Sequence, residues 1–419
     1  MQNHRLILLG KWALLVLLIS LYFAKGVLPA FTIVKSDFVN YYLSAQMFWD
    51  GAEVSSFYDD QAFIKSAKDK GIDTWPKFSQ FPPISCILMM PLIYCDVLEA
   101  QQYFTLFNLL LIPFCLWLMV LVNGWSWLNN SLLLFASGKA LWNNTALGQV
   151  YFLLLVLLLL AFYFVKRNRQ LGSAFMVSLG AHFKIIPAII AIAFLQSGKK
   201  LWFGFFVLAS LVIGVLSIGM IGWEAHQTYL PILFANLGGQ LQSTMMFSYT
   251  FQSWGEFFHH LFIFDFIYNA NPIIDCKPCF TIVKLFIQLA LLVPMLWLMF
   301  KLKKQTRTYR IAVFTCLWIC LMLAIHPATT SYYYLYMTFA LTVALPYLKK
   351  SVFFVPLLII YFLIGFIPYQ LFWSNSLPTL LHLIMAYPRL WLSNAFFIIL
   401  LIHFYKQATK PLNDQVAIL

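Results

Sequence analysis

Residues Trp12–Ala24 read WALLVLLISLYFA, and Ile33–Gly51, a few positions on, read IVKSDFVNYYLSAQMFWDG. The apolar segment around the first stretch, residues 7–28, is long enough to cross a bilayer core, which takes about 20 residues of helix. The second stretch sets Asp37 and Asp50 among aromatic side chains where that helix should emerge into water. Acidic residues number 14 in 419. Two of them at such a place ask for a reason.

The same texture runs along the chain. It is 62% hydrophobic, 18% aromatic and 10% charged, where a soluble domain carries about 25% charged residues. Further apolar segments fall at 83–95, 101–122, 147–166, 171–183, 185–197, 200–222, 281–301, 310–325, 333–348, 352–371 and 390–406. They do not alternate polar with apolar, as ~10-residue barrel strands would. The expected fold is all-α and polytopic, with about 12 transmembrane helices (10–13), as a single membrane domain over residues 1–419.

A net charge of +13 does not point to nucleic acid, because of where the charge lies. KRNR at Lys166–Arg169, GKK at Gly198–Lys200, KLKK at Lys301–Lys304 with Arg307 and Arg310, and Lys349–Lys350 sit between apolar segments. Basic clusters of this kind mark cytoplasmic loops. The start of the chain has Arg5 and Lys11 before its apolar run, but no small-residue cleavage site. It reads as an uncleaved first helix with a cytoplasmic N-terminus.

Charge then settles part of the topology. Residues 171–197 lie between two basic clusters, so they read as a short hairpin with Lys184 and Pro187 near its outer apex. Residues 128–142 read as a broken or re-entrant piece, which is tolerated where protein buries it or it lines a wet cavity. Residues 29–82 and 223–280 become the two larger extracytoplasmic loops, with 326–332 and 372–389 as smaller ones. Within the first loop, Asp59–Gly71 has helix-start acids, apolar Phe63, Ile64 and Ala67, and a closing Gly71. It reads as a helix lying on the membrane surface. Nearby Lys65, Lys68, Lys70 and Lys77 suit lipid phosphate. Of seven cysteines, Cys276 and Cys279 form CKPC in a polar loop. One such pair is short of the four ligands of a structural zinc site, so a loop disulfide is the favoured reading.

Some residues invite chemistry. Asp37 fits either an N-cap or a functional carboxylate at the membrane boundary. Gly148-Gln149 heads an apolar helix, and its amide suits a substrate hydroxyl or a neighbouring helix. Lys184, in LGAHFKIIP, needs a phosphate or carboxylate partner, or a path to snorkel to water. His182 beside it fits polar packing equally. His326 precedes the tyrosine run Tyr332–Tyr334, which serves as an interfacial belt or as stacking faces for sugar.

In their order along the chain these pieces resemble the membrane glycosyltransferases of the GT-C fold, and most closely glycosyltransferase family 87. The resemblance rests on Asp37-Phe38, Tyr41, Ala45 and Gly51, then Phe57-Tyr58. It continues through Phe81-Pro82-Pro83 with Pro91-Leu92, Gly148-Gln149, and Gly180 with Lys184 and Pro187. Where the family shows Asn-Gln-Ser, this chain has GGQLQS at Gly238–Ser243 and FQSW at Phe251–Trp254.

The resemblance implies an inverting transfer of a sugar, mannose or arabinofuranose, from a polyprenyl phosphate. The acceptor would be a lipid-linked or glycan hydroxyl. It makes Asp37 the general base, with Lys184, Gln149, His182 and Lys77 for the donor and Tyr41, Tyr58, His326 and Tyr332 for the acceptor. It implies no cofactor and no metal, since basic side chains can neutralise a monophosphate, and no aspartate-rich metal motif is present. The partners are the two lipid-borne substrates and the bilayer. The expected setting is a bacterial inner membrane, with cytoplasmic termini and an extracytoplasmic site. A flippase of lipid-linked glycan is the rival reading, although the inverted repeats common in transporters are not evident.

Overall fold

The computed structural model describes residues 2–237, 247–368 and 380–408. Gly238–Ser243 and residues 372–379 lie outside them. The described residues are helical, without a strand, and an isolated bridge joins Asp265 to Asn269. Internal contacts divide the chain into two compact units, residues 1–195 with 199–243, and residues 196–198 with 244–419.

In the first unit, α1 (Gln2–Tyr22) passes through a π-helical turn at Phe23–Val27 into α2 (Leu28–Thr32). As one apolar helix, Arg5–Thr32 has 28 residues. At ~1.5 Å per residue that is about 42 Å, longer than the ~30 Å hydrocarbon core. The chain then runs extended at Ile33 and Lys35 and turns into α3 (Ser36–Trp49). Gln101 of α5 (Val97–Asn123) fixes this corner. Its Nε2 donates to Ala30 O at 2.6 Å and Ile33 O at 2.8 Å, and its Oε1 accepts from Lys35 N at 3.1 Å.

The first loop folds onto α3. Asp59 caps α4 (Asp60–Asp69), accepting from Gln61 N and Ala62 N, and Gly71 closes it. Phe63, Ile64 and Ala67 are buried inside the protein, with Phe63 packed on Phe57 and Phe78. The expectation of a helix lying on the membrane surface is therefore wrong, since its apolar face has no side left for lipid.

Within residues 83–95, Pro83–Leu92 forms a short apolar 3-10 stretch rather than a membrane-length α-helix. Pro83–Ile87 and Met90–Leu92 are 3-10 turns. Pro82, Pro83 and Pro91 lack the N–H that an α-helical ladder needs. The chain closes shorter bonds instead, Ser85 N to Pro82 O at 2.9 Å and Leu92 N to Met89 O at 2.9 Å.

Beyond α5, the expected break in residues 128–142 appears between α6 (Trp127–Phe135) and α7 (Lys139–Ala146). The buried α8 (Tyr151–Lys166) packs on α5 and α9 (Gln170–Phe183). Lys184 and a 3-10 turn at Ile186–Ala188 join α9 to α10 (Ile189–Gln196). The membrane-length α11 (Lys200–Ile221) leads to α12 (Trp223–Leu237), which packs on the 3-10 turn Val54–Tyr58 of the first loop.

The second unit starts with α13 (Trp254–Phe262), packed on α14 (Lys277–Lys301) and α18 (Leu380–Ala386). The well-buried α15 (Arg307–Ile325) packs against α16 (Leu335–Leu348) and α19 (Pro388–Ala408), and α17 (Phe354–Phe366) against α19. Cys276 and Cys279 form a disulfide at the start of α14. Six described helices are long and apolar enough to cross a membrane, three in each unit. Shorter apolar helices such as α8 and α17 accompany them.

Candidate active site

Asp37 sits in the first turn of α3 but does not cap it. Lys35 holds the N-cap position, and no side chain bonds there. That leaves the carboxylate free of the structural duty its position suggested. One helical turn on, Tyr41 projects from the same face of α3.

Gln149 arrives from the far side through a tight turn. Gly148 N bonds to Thr145 O at 3.1 Å and Gln149 N to Asn144 O at 2.8 Å, which ends α7 in a left-handed glycine cap. Gly148 has φ +65°, and a Cβ there would stand 2.6 Å from Phe38 Cβ. Only glycine allows this backbone to press against the residue next to Asp37. Tyr41 Oη donates to Gln149 Oε1 at 3.3 Å, and the Gln149 side chain hydrogen-bonds the Asp37 carboxylate.

Lys184 closes the arrangement. It lies in extended conformation after α9, its N–H bonded to Gly180 O at 3.0 Å. Its Nζ stands 3.8 Å above the Phe81 ring centroid and 5.6 Å from that of Tyr151. Phe81 in turn packs on Tyr41, centroids 4.7 Å apart. Asp37, Gln149, Tyr41, Phe81 and Lys184 thus form a ring of contacts within the first unit, closed by the attraction between Lys184 and Asp37.

Asp37 and Lys184 are half-buried: deeply set, with some surface still reachable. Both lie outside the six long spans. Burial pushes the Asp37 carboxyl above the usual range, while the Gln149 bond and the Lys184 charge pull it down. Burial lowers Lys184 to about 7, opposed by the charge of Asp37. A base and a cation that feel each other's charge, with acidities drawn toward neutrality, can take a proton and receive an anion.

The other expected residues stand elsewhere. Tyr58 Oη donates to the backbone Phe81 O at 2.9 Å, which ties the segment carrying that ring to the turn Val54–Tyr58. Lys77 Nζ lies 3.2 Å from Asp60 Oδ2, and its backbone N–H bonds to Asn40 Oδ1 at 2.7 Å. His182 Nδ1 donates to Ser178 O at 2.9 Å, and its Nε2 faces Gly214 of α11. His326 and Tyr332 belong to the second unit. There the His326 ring lies 4.9 Å from Tyr333, and Tyr332 stacks on Tyr333 at 5.7 Å.

Sequence reasoning gave Phe81 a place in a motif but no role, and it passed over Tyr151 and Gln101. It also missed a polar cluster on α13. Buried Glu256 accepts from Phe247 N at 2.9 Å and lies 3.4 Å from His259 Nδ1. Tyr387 Oη meets His260 Nδ1 at 2.8 Å. The sequence signal was the EFFHH run at Glu256–His260.

A multi-span helical protein with a carboxylate and an ammonium that feel each other's charge has the makings of a membrane transferase. The sequence profile of glycosyltransferase family 87 matches residues 80–327, more than half of the chain. The chain belongs to that family and is a membrane glycosyltransferase, and its architecture is consistent with the GT-C type. The match takes in Gln149, Lys184 and His326, while Asp37 and Tyr41 precede it. No curated protein matches the chain significantly. No solved structure does either.

Proposed function

We propose that the chain moves a sugar, mannose or arabinofuranose, from a polyprenyl phosphate to a hydroxyl of a lipid-linked or glycan acceptor, with inversion at the anomeric carbon. The observation that carries this reading is the ring of contacts through Gln149, Tyr41 and Phe81 that brings Asp37 and Lys184 together. They come from distant parts of the chain, and each feels the other's charge. The acceptor oxygen attacks the anomeric carbon while the bond from that carbon to the phosphate oxygen breaks. The electron pair leaves with the lipid phosphate beside the Lys184 ammonium, and the acceptor proton passes to Asp37. Asp37 then releases it to water. The ammonium offsets part of the charge that develops on the leaving monophosphate, and the reading invokes no metal.

The reading places the pair at the extracytoplasmic face of an inner membrane, with both termini cytoplasmic. The basic clusters between spans and the Cys276–Cys279 disulfide support that side.

The test uses purified protein in detergent, radiolabelled polyprenyl-phosphate mannose or arabinofuranose, and a lipid extract as acceptor. Asp37→Asn should abolish transfer. Asp50→Asn should retain it, because Asp50 is a surface partner of Lys70 at 2.8 Å. Undiminished transfer by Asp37→Asn would remove the catalytic assignment.

A further inference from the structure

We infer that Tyr41 and Gln149 are positioning residues that hold and orient the Asp37 carboxylate, rather than contacts to either substrate. The inference rests on the reading of Asp37 as the base.

The direction of each hydrogen bond carries the argument. A tyrosine hydroxyl beside an amide oxygen is the donor, so Tyr41 Oη fixes Gln149 Oε1 as its acceptor at 3.3 Å. That orients the amide. Its Nε2, which can only donate, is left for Asp37. Neither side chain has freedom to do otherwise. Tyr41 is 0% exposed and Gln149 2% exposed, so a sugar cannot reach them without unpacking their neighbours. The Tyr41 ring is set against Phe81, and the Gln149 backbone is set by the glycine turn against Phe38.

The consequence is chemical. A half-buried carboxylate without a donor would hold its proton and rotate. With one oxygen engaged by Gln149, the carboxylate stays ionised and its other oxygen is left for the acceptor proton. Tyr41 acts one bond further back, by preventing the amide from flipping its oxygen toward the carboxylate. Tyr41 and Asp37, four residues apart on α3, therefore grip the same glutamine from one helix face.

Infrared titration of the purified protein tests this without any substrate. The protonated-carboxyl stretch that disappears in Asp37→Asn reports Asp37. In Gln149→Met its midpoint should rise by about half a pH unit or more. Tyr41→Phe should shift it the same way by less, and should add nothing in the Gln149→Met background. In the transfer assay Gln149→Met should lower kcat by about tenfold, with donor KM within about twofold.

A midpoint unmoved by Gln149→Met overturns the inference, as does a raised KM with kcat intact, which would mark a substrate contact. If Gln149→Met does not fold, Tyr41→Phe decides by the same midpoint, since it removes a single hydroxyl from a packed ring. Full transfer by Asp37→Asn would sink the base reading, and the positioning role with it. Loss of transfer there together with an unmoved midpoint in Gln149→Met sinks the positioning role alone.

Discussion

Lys184 Nζ stands 3.8 Å over the centroid of the Phe81 ring. Among the described residues its ammonium makes no direct hydrogen bond or contact ion pair. A ring face steadies a cation without using its N–H donors. The three donors stay available for a phosphate, at a place where an unsupported ammonium would lose its proton.

Replacing that face should weaken the cation. Phe81→Leu removes a contact of about 1 kcal/mol, or ~0.7 of a pKa unit. The alkaline limb of kcat/KM should move to lower pH by about that amount. An unmoved limb in a folded variant would show that the ring does not support the charge.

The pH profile of transfer should be bell-shaped, and its signs follow from the two shifts. Asp37 must be ionised, and its acidity is weakened by burial, so activity falls as pH drops through its raised pKa. Lys184 must be protonated and is brought to about 7, so kcat/KM falls as pH rises through that region. A bound donor phosphate favours the cation, which should push the alkaline limb of kcat above that of kcat/KM. The limbs belong to the pair rather than to either residue alone. Lys184→Arg, always charged, should remove the alkaline limb.

Gly148→Ala should damage both stability and transfer. The added Cβ meets Phe38 Cβ at 2.6 Å, in a backbone conformation with φ +65°. A cost of about 1–3 kcal/mol is expected, read as a lower unfolding temperature in detergent. Transfer should drop by about tenfold or more at temperatures where the variant is folded, because Gln149 moves with the turn. Alanine tolerated on both counts would contradict the close approach.

The second large loop should be reachable from outside. In sealed vesicles with the extracytoplasmic face outward, an impermeant maleimide should label Cys276 and Cys279 only after reduction. A Cys95→Ser background keeps the readout clean, since Cys86, Cys115, Cys316 and Cys320 are buried. Labelling only after permeabilisation would reverse the proposed orientation.

Local chemistry was legible in the sequence. Apolar runs and sparse charge gave a helical membrane protein, because the free energy of placing a helix in lipid sums over its own residues. Asp59 and Gly71 gave the ends of α4 for the same reason, since a cap bonds within its own turn. The ordered motifs gave the family.

Hydropathy does not say what covers an apolar side chain, so it misjudged the outward face of α4. It also overlooked that three prolines divide residues 83–95 into 3-10 turns. Tertiary packing alone decided that Asp37 is not a cap, that Gln149 turns its amide to it, and that Lys184 lies over Phe81. Tyr41 and Gln149 are 108 positions apart. What joins them is a glycine turn pressed against Phe38, a relation between surfaces that no stretch of the chain carries within itself.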